Sequence, residues 1–263
     1  TVTGPDESPI FNDINLNKMS ITLDLSKQRA VELAKRLVKI SDVVCQNFRP
    51  GVIDKLGLGY EALREIKPDI IMLSSSALGT NGPERHYVGF APTFSSLGGL
   101  AYLTGFSDGP PVPVMGSSDL RSATTAAFAI LVALYHRAQT GEGQHIDLSS
   151  TETISVFVGE AIMDYTMNKR VQTRKGNRHE IMAPHNYYPC RGENQWVSIA
   201  IAYEEEWQAL CQDMGDPSWT KDERFSDAYR RWNNQEELDK LISEWTVNFT
   251  HYEITEQLQR VGV

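Results

Sequence analysis

Apolar positions along the chain recur with two different periods, and each period predicts an element type. After a loop-like opening over 1–16, Asn17-Lys18-Met19-Ser20-Ile21-Thr22-Leu23-Asp24-Leu25 alternates as a strand does. Ser26 has the chemistry of an N-cap for a helix over 27–40, with Val31, Leu33, Ala34, Leu37 and Val38 on its buried side. Asp42-Val43-Val44-Cys45-Gln46 reads as a short buried strand ending in the loop Asn47-Phe48-Arg49-Pro50-Gly51. A helix over 60–66 then leads to a strand at Ile70-Ile71-Met72-Leu73-Ser74. Helices and strands alternating through short loops predict a parallel, Rossmann-like α/β unit.

The middle of the chain is helical around two loops rich in glycine and proline. Residues 94–103 predict a helix broken at Gly98-Gly99, and 105–116 a loop with three prolines. Asp119 opens a long apolar helix through Arg137, closed by Thr140-Gly141-Glu142-Gly143. A strand over 144–148 and a helix over 150–168 follow. Residues 170–180 are basic and read as mobile. Residues 196–201 predict a strand, and the acidic tail predicts helices over 204–214, 234–247 and 251–260.

Composition narrows the class of protein. The 263 residues are 41% hydrophobic and 22% charged, an ordinary soluble, globular mix. The net charge is −9, and residues 203–263 concentrate it, with 6 basic against 14 acidic side chains. Such a chain has no broad electrostatic footprint for nucleic acid or an anionic membrane. No apolar run reaches the ~20 residues of a membrane span. Cys45, Cys190 and Cys211 are scattered, without a CxxC, which points to reduced thiols and a cytoplasmic location.

Most familiar chemistries find no motif. The six histidines show no HxxxH or HExxH spacing, so no metal is expected. There is no Walker loop and no GxGxxG after a strand, and Gly116-Ser117-Ser118 is not GxSxG. His185 and Cys190, five apart around Pro184 and Pro189, read as loop residues. Asn47-Phe48-Arg49-Pro50-Gly51 follows a predicted parallel strand, where an amide, an aromatic face and a guanidinium could hold a nucleotide or simply make a turn. Asp119 is open to two readings as well. It is an ordinary N-cap, or a carboxylate fixed where backbone N–H groups and the helix dipole favour negative charge, able to attack a thioester covalently.

Several segments taken in order carry a resemblance. They are Asn17-Lys18-Met19-Ser20-Ile21 with Leu23-Asp24-Leu25, Asn47-Phe48-Arg49-Pro50-Gly51, Leu56-Gly57, Gly98-Gly99, and Thr104-Gly105 with Asp108-Gly109-Pro110-Pro111. Arg137, Thr140-Gly141, Gly143 and Gln144 complete the series. Together they resemble the family III CoA-transferases (formyl-CoA transferase, carnitine CoA-transferase and α-methylacyl-CoA racemase relatives), strongly over 12–202 and loosely beyond.

The resemblance implies a CoA-transferase moving CoA from an acyl-CoA donor to a carboxylic acid. Asp119 aligns with the aspartate that forms aspartyl anhydride and aspartyl-CoA thioester intermediates. Asn47, Phe48, Arg49 and Lys55 are implied to bind CoA, with Lys18 in the neighbouring strand-edge motif. The alternatives are an α-methylacyl-CoA racemase, against which Phe90 stands at the position of the racemase histidine, and a non-catalytic CoA-binding subunit. Residues 183–189 replace the glycine-rich loop of the formyl-CoA transferases, which speaks against oxalate and formate, and His185, Tyr187 and Tyr188 leave room for a larger or aromatic acid. The implied fold is α/β: a Rossmann-like large domain over 1–168 holding the CoA loops and Asp119, then a linker and small α+β domain over 169–263. It also implies an interlocked homodimer, and a chain partial at both ends, lacking the first βαβ segment and a returning C-terminal segment.

Overall fold

The computed structural model describes residues 4, 7–112, 114 and 116–263, with Ser117 by its backbone alone. Residues 1–3, 5, 6, 113 and 115, parts of the opening stretch and of the proline-rich loop, lie outside the described residues. The chain divides into two compact units, Thr1–Gly98 with Met115–Val158, and Gly99–Val114 with Gly159–Val263.

The first unit is built on three parallel strands in the order β1 (Val43–Gln46), β2 (Ile71–Ser76), β3 (His145–Ser149), with Val43 opposite Ile71 and Met72 opposite His145. Its helices are α1 (Pro9–Ile14), α2 (Gln28–Val38), α3 (Val52–Lys55), α4 (Tyr60–Ile66) and α5 (Ala91–Leu97). After α6 (Leu100–Leu103), which belongs to the second unit, come α7 (Ser117–Thr140) and α8 (Ser150–Val156). The alternating side chains of the central strand separate two layers. Ile70 and Met72 join Val31, Val38, Ile53, Leu58 and Leu63 in one buried cluster under α2 and α4. Ile71 and Leu73 point the other way, where α7 packs on β2 and β3.

Arg137, near the end of α7, ties the approaches to β1 and β2 together. Its Nη2 donates to Asp42 Oδ1 at 2.8 Å, and its Nη1 to the carbonyls of Asp42 (3.2 Å) and Asp69 (3.4 Å). Gly143 then brings the chain against β2 so closely that a Cβ there would lie 2.2 Å from the Ile70 carbonyl oxygen. No other residue fits that passage.

Four expectations for this unit are overturned. The alternating stretch 17–25 forms no strand: among the described residues it has no ladder partner, and Met19 and Ile21 stay exposed. Residues 9–14 of the expected loop are helical. Lys27 rather than Ser26 precedes α2, because the Ser26 N–H and hydroxyl both donate to Asp24 Oδ1 (3.1 and 2.6 Å) and hold that residue in a turn. The helix expected over 150–168 is interrupted after Val156.

The second unit contains α9 (Gly159–Asn168), β4 (His185–Pro189), β5 (Trp196–Ala200), α10 (Glu204–Asp213), α11 (Ala228–Asn233), α12 (Gln235–Thr246) and α13 (His251–Arg260). β4 and β5 pair antiparallel, with His185 opposite Ala200. Only β5 was legible beforehand; β4 begins after Pro184 and ends on Pro189, and its ladder with β5 defines it. Tyr188, Val197 and Ile199 of this hairpin meet Trp207, Leu210, Phe225, Leu238, Ile242 and Ile254 in a closed core. Thr250 and Glu253 cap α13 reciprocally, and Asp227 caps α11 through the Arg230 N–H. Arg231 is buried yet satisfied: Nη2 donates to Glu204 at 2.7 Å, Nε and Nη1 to the carbonyls of Ala183 and Phe225 (both 3.2 Å), and its plane lies over Trp207. Among the described residues no helix is long and apolar enough to cross a membrane.

Candidate active site

Because β1, β2 and β3 run the same way, their carboxyl ends share one rim, where open parallel sheets hold ligands. A cavity of about 680 Å³ opens there. Cys45, Gln46 and Asn47 at the end of β1 and Ser75, Ser76 and Ala77 at the end of β2 line it, with Phe90 and Phe94 around the head of α5. Asp119 and Ser122 reach it from α7, and Ser150 from the start of α8.

Asp119 is the third residue of α7. The helix opens at Ser117 behind Gly116, whose φ of 75° makes the turn, so Asp119 is not the N-cap. Its carboxylate is exposed in the first turn of a 24-residue helix, where backbone N–H groups lack intrahelical partners and the dipole favours negative charge. It is also the one charged side chain among the described residues lining the cavity, whose other polar groups are neutral hydroxyls, amides and a thiol.

The hydroxyls were not legible in sequence. Ser122 lies three residues after Asp119, on the same helix face. Among the described residues its Oγ is buried without a hydrogen-bond partner, as is that of Ser76 across the cavity. Ser118, beside Asp119 on α7, is likewise buried without a partner among the described residues, whereas Thr124 donates to the Leu120 carbonyl at 2.8 Å and Thr140 to that of His136 at 2.9 Å. Serines inside an apolar helix give no spacing signal, and only their unspent donors mark them.

A second cavity, of about 370 Å³, lies on the other face of β2. Pro50, Gly51, Tyr60, Ser74, Arg85 and His145 line it, and Gln46 lines both cavities. Ser74 Oγ and His145 Nε2 are 2.9 Å apart, and the imidazole stacks on Tyr60 at 5.1 Å between ring centres.

Of the residues expected to bind CoA, only Asn47 shares the cavity of Asp119. The Phe48 N–H donates to Gln46 Oε1 at 2.7 Å while its ring is 43% exposed. Arg49 and Lys55 are exposed and line neither cavity. Lys18 is turned onto its own neighbours, its Nζ donating to the Ile14 carbonyl (2.7 Å) and Asn15 Oδ1 (3.1 Å) at the end of α1. Phe90 also lines the Asp119 cavity.

The loop after β2 is stapled by Asp147 of β3. That carboxylate accepts from the Thr80 N–H (2.9 Å), the Thr80 hydroxyl (2.6 Å) and the Asn81 side-chain amide (3.0 Å). In the second unit, Tyr188 is fully buried in the core and donates to Asp239 at 2.6 Å, with burial first and Asp239 next raising its phenol above the ordinary range. It is a packing residue. His185 belongs to β4 rather than to a loop, with its Nδ1 at the Asn177 carbonyl at 2.5 Å, and burial raises the Cys190 thiol. The three cysteines are free thiols.

Comparison with known proteins agrees with this architecture. The chain is 36% identical over 248 residues to succinyl-CoA–D-citramalate CoA-transferase of Chloroflexus aurantiacus, covering 94% of this chain and 61% of that protein. It is 35% identical to acetyl-CoA:oxalate CoA-transferase of Acetobacter aceti, covering 90% and 61%. Among solved structures, a CaiB/BaiF family protein from Brucella suis superposes with a TM-score of 0.87 at 32% identity, over 94% of this chain and 65% of that one. The chain thus spans about three-fifths of the length of these curated relatives. CoA-transferase family III matches residues 1–263. A small parallel sheet flanked by helices, with a matching sequence along its whole length, places this chain in CoA-transferase family III.

Proposed function

We propose that the enzyme carrying this chain moves CoA from an acyl-CoA donor to a free carboxylic acid, with Asp119 as its nucleophile. One observation carries the reading: a single carboxylate, in the first turn of α7, faces a cavity at the carboxyl ends of the parallel strands. The Asp119 carboxylate attacks the thioester carbonyl, the C–S bond breaks, and CoA leaves as thiolate from a mixed anhydride. The thiolate then attacks the aspartyl carbonyl, which releases the donor acid and leaves an aspartyl-CoA thioester. An acceptor carboxylate repeats the two steps in reverse order, forming the new acyl-CoA and restoring Asp119. Each step passes through a tetrahedral oxyanion, and the neutral donors around Asp119 (Asn47, Ser76, Ser122) are suited to holding it without competing for the nucleophile's charge.

The segment from Asn47 through α3 to Lys55 is proposed to hold CoA, Phe48 by its exposed ring and Arg49 and Lys55 by phosphate contacts. Arg49→Ala and Lys55→Ala then weaken CoA binding more at low than at high salt, and Phe48→Ala weakens it nearly independently of salt. Equal affinity across the three variants would reduce the loop to a turn. The quaternary proposal is an interlocked homodimer with a large domain over 1–168 and a small one over 169–263. Its support is the exposed apolar face of α7, where Phe128, Leu131 and Tyr135 are uncovered in a single chain.

Trapping tests the nucleophile. With acyl-CoA present, hydroxylamine converts the activated carboxylate of the full-length enzyme to a hydroxamate on the peptide containing Asp119, and Asp119→Ala abolishes both the label and CoA transfer. Near-normal turnover in Asp119→Ala sinks the reading.

A further inference from the structure

Residues 170–180 read as a mobile basic stretch in sequence, yet the structure ties them down. The Gly176 N–H donates to the Gly105 carbonyl at 2.8 Å, the Asn177 amide to Asn186 Oδ1 at 3.1 Å, and Trp232 Nε1 to the His179 carbonyl at 3.0 Å. Gly176, at φ 61°, passes so near Phe106 that a Cβ would meet the ring at 2.6 Å. The held loop forms one wall of a cavity of about 680 Å³, entirely within the second unit.

Four permanent cations line this cavity, and three are committed. Arg170 pairs with Asp164 at 2.6 Å, Lys175 with Glu180, and Arg178 with Glu236 at 3.7 Å. Arg174 has no carboxylate partner among the described residues. Its Nη1 donates to the Tyr102 carbonyl at 3.3 Å and its guanidinium lies over the Tyr102 ring, 5.3 Å from the centre, which fixes the plane. Its Nε is buried with no acceptor among the described residues. Buried donors are rarely left so, and a charged one least of all. Arg174 lines the cavity with its plane fixed and one N–H unspent, and a guanidinium so held has the donors to take an oxyanion through two parallel hydrogen bonds. Asp108, exposed on the same cavity, disfavours a second negative charge close to the first.

We propose that the second unit carries a binding site for a small oxyanion, a carboxylate or a phosphate group, held by Arg174. The site does not depend on the transferase reading. Full-length protein carrying Asp119→Ala, which silences the proposed chemistry, is titrated calorimetrically with succinate and, separately, with inorganic phosphate. At least one binds saturably, and Arg174→Gln lowers that affinity by about tenfold or more while Arg174→Lys loses less. Arg174-dependent binding of succinate identifies an acid as the source, and of phosphate a phosphorylated ligand. A second measurement needs no variant at Arg174: phenylglyoxal modification of Arg174, read by peptide mass, is slowed by the binding anion. Absence of Arg174-dependent binding by both anions, together with unprotected modification, overturns the proposal. Loss of transfer in Asp119→Ala is read separately, so either idea can fail without the other.

Discussion

Two helices of this chain bury different fractions of their apolar surface. α12 shows the amphipathic economy of a surface helix: Leu238, Ile242 and Thr246 are buried at helical spacing and Glu236 and Glu244 face out, while Asp239 turns in to the Tyr188 hydroxyl. α7 is twice as long and far more apolar, yet it buries Ser118, Ser122 and Ala133 and leaves Leu120, Phe128, Leu131 and Tyr135 uncovered. The comparison separates two jobs. α12 closes a core that its own unit completes, whereas α7 offers small and polar residues to the sheet side and holds its large side chains outward. Helix sequence therefore follows what each face must meet, and the outward face of α7 is the one the proposed dimer would cover.

Substitutions in α12 and its surroundings are expected to have the largest effect. Ile242→Ala removes a fully buried side chain and costs about 3 kcal/mol, read as a lower midpoint in denaturant unfolding. Arg231→Met comes next, at about 2 kcal/mol, because the carbonyls of Ala183 and Phe225 lose their donor inside the core. An unchanged midpoint in either variant would erase the distinction between the helices. On α7, Phe128→Ser with Leu131→Ser shifts the unfolding of the dissociated chain by less than about 0.5 kcal/mol, yet converts the proposed dimer to monomer in light scattering. Retention of the dimer would assign that face another role.

The smallest effect is a pH dependence in the second unit. Asp164 accepts from Asn168 (2.8 Å), Arg170 (2.6 Å) and Gln172 (3.1 Å), and these bonds, Asn168 first, lower its carboxyl to about 2. The folded value lies below the unfolded one, so this contribution is complete above about pH 4 and is lost as pH falls toward 2. Asp164→Asn should flatten that part of the stability profile, and a profile identical to wild type would discount the carboxylate.

What could be read in advance follows from which forces are local. β1, α4, β2, the break at Gly98-Gly99 and the long α7 were legible because apolar period and glycine punctuation act within a few residues of themselves. The strand expected over 17–25 failed because alternation gives no strand without a neighbour to bond. β4 was missed for the converse reason, a weak pattern rescued by its ladder with β5. At the site, Asp119 and Asn47 were singled out and share a cavity, whereas Lys18 followed its nearest backbone acceptors. Ser76 and Ser122 were invisible, since an unspent hydroxyl exists only once burial is known. The basic loop looked mobile because its restraints come from residues as distant in sequence as Gly105 and Trp232.

The Asp147 staple makes the exposed loop after β2 observable in solution. Amides in such loops ordinarily exchange their protons with solvent almost as fast as free peptide, and that of Thr80 is held by a carboxylate on a sheet strand. Deuterium uptake at this one position therefore clocks how often the loop lifts away from β3. The same loop carries Thr80 and Arg85 to one cavity and Gly89 and Phe90 to the other. A ligand entering either chamber should register there as slowed labelling, before any turnover is measured.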